Sequence, residues 1–187
     1  MNPLELITSL LGVANVALLV RRSIWNYPVG MVMVALFAWA VFQARLYSDA
    51  ALNIFFFVVQ AYGWWAWWRL GGIQHKVHVE RLTGPARIAW IGMIVLTSIA
   101  WGAIMRFYTD AVFPWLDALL AMASVAAQIL LVRRRIENWV LWILVDVGYI
   151  GVYLAKHFYD FAALYLLLLL LSVMGLREWA RAEQAPA

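Results

Sequence analysis

No cysteine occurs among the 187 residues. Disulfides, thiolate metal sites and thiol nucleophiles are therefore excluded. Charge is almost as scarce, at 13% of positions against about 25% in an ordinary soluble domain. The three histidines, His75, His78 and His157, fall between apolar runs rather than within them. No Gly-Lys-Ser/Thr phosphate loop, no His-Glu-x-x-His string and no Ser–His grouping occurs within a run, so nothing here supports an enzyme, a metal centre or a bound cofactor.

What the chain does have is oil. Hydrophobic residues make up 66% of it, more than a soluble core of this length needs. In windows of about 19 residues the apolar runs fall near Leu4–Val20, Tyr27–Ala44, Ala50–Trp68, Ile88–Met105, Phe113–Val132, Trp139–Ala155 and Phe158–Leu176. Each is long enough to cross a bilayer, which predicts an all-α membrane protein of seven transmembrane helices. The opening Met1-Asn2-Pro3-Leu4-Glu5 lacks the basic start of a signal peptide, so the first helix is expected to be retained.

The cations follow the loops. Arg21 and Arg22 separate runs one and two; Arg69, Lys76, Arg81 and Arg87 separate three and four; Arg133, Arg134 and Arg135 separate five and six; Arg177 and Arg181 follow run seven. Only Arg45, Arg106 and Lys156 fall on the other side. This asymmetry predicts a cytoplasmic arginine-rich side, an external amino terminus and a cytoplasmic carboxyl terminus. It also accounts for the basic excess as membrane orientation, leaving no nucleic-acid surface.

An internal repeat organises the runs. Leu18-Leu19-Val20-Arg21-Arg22-Ser23-Ile24-Trp25-Asn26 matches Leu130-Leu131-Val132-Arg133-Arg134-Arg135-Ile136-Glu137-Asn138 at seven of nine positions. The same offset pairs Ala51-Leu52 with Ala163-Leu164, Gly63 with Gly175, Trp67 with Trp179 and Arg69 with Arg181. Two triplets that start on the same side need one span between them, and Ile88–Met105 supplies it. The expected organisation is a first three-helix repeat over 1–69, a connection plus linker helix over 70–110, a second repeat over 111–181 and a frayed polar tail over 182–187. This 3+1+3 arrangement of parallel repeats is a transporter architecture, SWEET-like, with a substrate site near the midplane between repeats.

Two helix faces carry polar and aromatic residues together. On run six, Trp139, Trp142, Asp146, Tyr149 and Tyr153 alternate spacings of three and four. A carboxylate at mid-span costs about 2.5–3.5 kcal/mol on insertion scales, so Asp146 is expected to face a cavity, or else to bind a neighbouring helix. On run three, Asn53, Phe57, Gln60, Trp64 and Trp67 form a second stripe, in which the amides either glue helices or hold a polar solute beside an aromatic wall. The tryptophans beside Arg69 also fit an interfacial belt. Tyr165 occupies the place of Asn53 in the second repeat, while Asn26 and Asn138 are expected as helix caps. Indoles, phenols, amides and one carboxylate suit a flat, partly cationic, hydrogen-bonding solute such as a pyridinium or thiazolium ring.

The Trp139-Val-Leu-Trp142 pair followed by Asp146-x-x-Tyr149, together with the Asn53-x-x-x-Phe57-x-x-Gln60-x-Tyr62-Gly63-Trp64-Trp65 string, resembles the PnuC family of bacterial vitamin transporters over essentially the whole chain. The resemblance implies import of nicotinamide riboside by facilitated diffusion across the inner membrane, with thiamine and riboflavin carried by relatives. It further implies a homotrimer and trapping of the vitamin by a cytoplasmic kinase. The family usually shows asparagine where Asp146 stands. The alternatives are a thiamine or other vitamin transporter of the same family, and a non-transporting receptor or assembly protein on the same scaffold.

Overall fold

The computed structural model describes residues 3–43, 47–70, 78–108 and 113–184. They form seven helices: α1 (Pro3–Val20), α2 (Asn26–Gln43), α3 (Tyr47–Arg69), α4 (Gly84–Tyr108), α5 (Pro114–Val132), α6 (Glu137–Ala155) and α7 (Tyr159–Gln184). Four of them, α4 to α7, are long and apolar enough to cross a membrane, and α1 and α2 contain the shorter apolar stretches Leu6–Val20 and Asn26–Ala40. Helix α3 is 23 residues long, but its amides and tryptophans dilute its apolar character.

Within each triplet the helices pack in chain order, α1 on α2 on α3 and α5 on α6 on α7. Between triplets, α1 meets α7 and α3 meets α5, so the first helix of each packs on the third helix of the other. Among the described residues helix α4 packs mainly against α5, with Arg87 at its start reaching Glu137 of α6.

Residues 112 apart perform the same local tasks. Helix α1 ends with Arg22 at φ 55° and α5 with Arg134 at φ 59°, a left-handed residue closing each helix. The Ser23 and Arg135 amides then donate back to the Leu18 and Leu130 carbonyls at 3.0 and 2.8 Å. The amide side chains of Asn26 and Asn138 donate to the carbonyls of Ser23 and Arg135, each at 2.6 Å. This corrects the expectation that the two asparagines cap helices: their side chains bind the free carbonyls of the preceding turn instead. No side-chain cap is present at the start of α6.

All the arginine-rich turns gather at one end of the bundle. There the segment before α4 lies against the α5–α6 turn, with Glu80 N–H on the Arg134 carbonyl at 3.1 Å and Ile136 N–H on the Glu80 carbonyl at 3.0 Å. Ion pairs join Arg135 to Glu80 (2.6 Å), Arg87 to Glu137 (2.8 Å) and Arg81 to Glu183 (2.5 Å). The last pair lies within the tail expected to fray, whose residues 182–184 are helical; residues 185–187 lie outside the described residues. Helix α7 continues to Gln184 because Trp179 is buried beneath it and Glu183 has a partner in Arg81. Gly71, Gly72, His75 and Lys76 lie outside the described residues.

Two glycines let aromatic rings close onto α3 and α7. A methyl group on Gly63 would run into the Tyr27 ring, and one on Gly175 into the Trp139 ring. Gly175→Ala is therefore expected to lower stability by about 1–3 kcal/mol through overpacking. Gly151→Ala, where nothing lies within 4 Å, is expected to be neutral or to stabilise by up to about 1 kcal/mol through helix propensity. Thermal melts in detergent check the pair; equal effects would contradict the packing described here.

Candidate functional site

Three layers of side chains stack along the interior. The first lies at the arginine-rich end, where Tyr27, Trp67, Trp139 and Trp179 are fully buried. Trp139 meets Trp179 edge-on at 5.6 Å between ring centroids, Tyr27 meets Trp67 at 5.2 Å in the same manner, and Trp67 and Trp179 lie 6.2 Å apart. The two central indoles bond across the repeats, Trp67 Nε1 to the Val132 carbonyl (3.2 Å) and Trp179 Nε1 to the Leu19 carbonyl (3.1 Å).

Two turns further from that end the second layer is polar. Asp146 is only 3% exposed, and one of its oxygens accepts a hydrogen bond from Ser172 Oγ at 2.9 Å. In the first repeat Gln60 is 6% exposed. Its amide crowds Gly30 together with that of Asn15, so closely that a methyl group on Gly30 would overlap both. Asn15 Nδ2 also donates to the Asn26 carbonyl at 2.5 Å. Half-buried Trp142 packs against the aromatic layer, one turn from Asp146 on α6. The carboxylate and the two amides are thus held in an apolar bundle, where a polar group without a partner is costly.

The third layer consists of phenols. Tyr149 lies 4.9 Å from Tyr165 and 5.9 Å from Tyr153, and Tyr153 stacks on Phe161 at 5.3 Å. Asn53, half-buried, occupies on α3 the place Tyr165 occupies on α7.

The structure therefore separates the expected residues into groups. Trp142, Asp146 and Tyr149 share the inward face of α6, Tyr165 joins Tyr149, and Gln60 is buried on α3. Trp139 sits in the aromatic layer rather than beside the carboxylate. Phe57 and Trp64 are 38% and 37% exposed. They lie about 60° and 40° around α3 from Gln60 at 100° per residue, on the edge of a face whose buried centre is Gln60, Gly63 and Trp67. Ser172 and Asn15 escaped the sequence reading. The signal for Ser172 was present, since it stands 112 residues after Gln60; Asn15 pairs with an alanine and carries no such mark.

A carboxylate and amides sealed inside apolar helices, between two matched triplets, are the build of a multi-pass membrane transporter. The chain belongs to the Nicotinamide mononucleotide transporter family, whose model matches residues 2–181, and it is a transporter rather than an enzyme. It is 26% identical to the "Nicotinamide riboside transporter PnuC" of Escherichia coli (strain K12), covering 94% of this chain and 84% of that one. Identity is also 26% to the "Riboflavin/roseoflavin transporter RibM" of Streptomyces davaonensis, over 94% of this chain and 83% of the relative. A solved structure described as the "Vitamin B3 transporter PnuC" superposes with a TM-score of 0.81 at 25% identity, covering 98% of this chain and 84% of that chain.

Replacing both members of a buried polar pair is commonly neutral, whereas orphaning one member is not. Ser172→Ala is thus expected to lower stability by about 1–3 kcal/mol, and Ser172→Ala combined with Asp146→Leu to recover most of the loss. Thermal melts of the two variants check this; a double variant less stable than the single one would make Asp146 a structural bracket.

Proposed function

We propose that the protein imports nicotinamide riboside by facilitated diffusion, through a chamber formed where the two three-helix repeats meet. Residues 1–69 and 111–181 act as the two halves, and 70–110 supplies the connection and the linker helix, in the manner of a SWEET-like 3+1+3 transporter. The arginine-rich end faces the cytoplasm of a bacterial cell, with the protein in the inner membrane, the amino terminus outside and the carboxyl terminus inside. The working unit is a homotrimer, and a cytoplasmic kinase traps the imported vitamin by phosphorylation.

The observation that carries this reading is the polar layer. Asp146, the one buried carboxylate among the described residues, lies one turn from Trp142 and two turns from the aromatic end of the bundle. A pyridinium ring stacked on an indole gains cation–π attraction of about 2 kcal/mol or more once desolvated, and the carboxylate adds Coulomb attraction. Gln60 and Asn53 supply hydrogen bonds for ribose hydroxyls and a carboxamide, with Tyr149 and Tyr165 walling the chamber on the far side. Phe57, Trp64 and Trp139 act at its margins. The relative named for nicotinamide riboside supports the choice of vitamin.

A second reading, riboflavin transport, is favoured by the equal 26% identity to the riboflavin/roseoflavin transporter. Riboflavin is flat and neutral, so it would use the aromatic walls and amides but gain little from Asp146. Thiamine, cationic like the riboside, is a third candidate of the same kind.

Uptake of labelled nicotinamide riboside into proteoliposomes is expected to saturate, to survive collapse of the proton gradient and to fall at least about tenfold in Trp142→Ala, the loss of a stacked cation contact. Competition by unlabelled riboflavin or thiamine stronger than that by the riboside would transfer the assignment to that vitamin. Uptake that requires the gradient would make Asp146 a proton carrier and end the facilitated-diffusion reading.

Asp146→Asn keeps the shape and the Ser172 contact while removing the charge. It is expected to weaken binding of the cationic riboside about tenfold, as for a partly screened charge pair, and to leave a neutral reduced analogue within about twofold. Equal losses for both ligands would refute the electrostatic role.

A further inference from the structure

We infer that Tyr27, Trp67, Trp139 and Trp179 form the inner gate of the transport path, latched shut by the two indole-to-carbonyl bonds that cross between the repeats. Three observations combine. All four rings are fully buried, so among the described residues water does not reach this layer from the arginine-rich end. They stand seven residues from the polar layer on three helices, Trp67 from Gln60, Trp139 from Asp146 and Trp179 from Ser172, which is about 10 Å of helix rise toward that end. The layer thus lies directly between the chamber and the arginine-rich surface.

The bonding pattern distinguishes a latch from ordinary core. Trp67 donates to Val132 on α5 and Trp179 to Leu19 on α1, so each repeat's third helix grips the other repeat's first helix at the turn where it ends. Separation of the repeats at this end must break both bonds. Meanwhile the Tyr27 hydroxyl and the Trp139 N–H, 112 residues apart, are buried without a hydrogen-bond partner among the described residues, as are the Asn138 Oδ1 beside Trp139 and the Ser98 hydroxyl on α4. A packing core satisfies its buried donors. Here two related donors go unpaired when the layer is shut and reach water or a passing solute when it opens. The shut arrangement is therefore held by two bonds and opposed by two orphaned donors, a balance suited to a layer that must open and close.

Gly63 and Gly175 fit the same picture, because only a missing side chain lets the Tyr27 and Trp139 rings seat this deeply. The inference rests on the polar layer being the chamber, but not on which vitamin occupies it.

The cysteine-free chain allows a direct test. Spin labels at Arg21→Cys and Arg133→Cys, matched exposed positions on the two turns, report the separation of the repeats in lipid nanodiscs by pulsed electron paramagnetic resonance. Trp67→Phe and Trp179→Phe keep a ring and remove the N–H. Each is expected to raise the ratio of the long-distance to the short-distance population roughly fivefold, the size of one net hydrogen bond, and both together roughly 25-fold. The single variants, which keep one bond, serve where the double variant does not fold. A lower melting temperature with an unchanged distance distribution in either single variant would overturn the gate and leave the rings as inert core. Because the measurement needs no solute, a shifted distribution in a protein that takes up no nicotinamide riboside would sustain the gate while refuting the proposed substrate.

Discussion

The grip of two tryptophans across the repeat boundary organises this protein. Trp67 and Trp179 each reach from the third helix of one triplet to the carbonyl that ends the first helix of the other. In lipid there is no hydrophobic drive to bring helices together, so packing and inter-helix hydrogen bonds must do it. The two bonds fix the triplets in a mutual register, and that register sets the height of everything below it. Asp146, Ser172 and Gln60 stand at one level because they stand at one distance from the aromatic layer.

Matched architecture carries unmatched chemistry. The arginine turns, asparagine side chains and glycines make matching contacts in the two repeats, and the central tryptophans bond matching helices one residue out of step, while the interior positions diverge. Gly30 corresponds to Trp142, Val34 to Asp146, Gln60 to Ser172 and Asn53 to Tyr165. The frame is symmetric because both triplets must close the same way, while the interior positions between them differ residue by residue. The ion pairs of Glu80, Glu137 and Glu183 add a further asymmetry, tying the segment before α4 to the second repeat.

Much of this was legible in the residues. Apolar runs located all seven helices to within a turn at most ends, and the repeated Leu-Leu-Val-Arg-Arg string foretold the matched turns. The exceptions have physical causes. The apolar run of α7 stops near Leu176, but the helix continues because its buried side there is one tryptophan rather than a stripe. Tryptophans beside arginines read equally well as an interfacial belt and as a core; Trp65 and Trp68 are exposed and Trp67 is not, a difference set by the neighbouring Gly63 and by the facing helix rather than by local composition. The α3 stripe of Asn53, Phe57, Gln60, Trp64 and Trp67 includes two residues of the buried centre, Gln60 and Trp67, while Phe57 and Trp64 lie at its edge and Gly63 completes it. Ser172 carried a signal only through the repeat, standing 112 residues after Gln60, since a lone serine among leucines has no periodic mark of its own.

The central claim is that the polar layer holds a flat cation between an indole and a carboxylate. An experimental structure of the protein with nicotinamide riboside bound tests it most directly. The pyridinium ring is expected against Trp142, with an Asp146 oxygen within about 4–6 Å of the ring, the reach of a specific charge contact, and the ribose toward Gln60. A riboside bound outside the bundle, or inside it with Asp146 still bonded only to Ser172 and turned away from the ring, would contradict it.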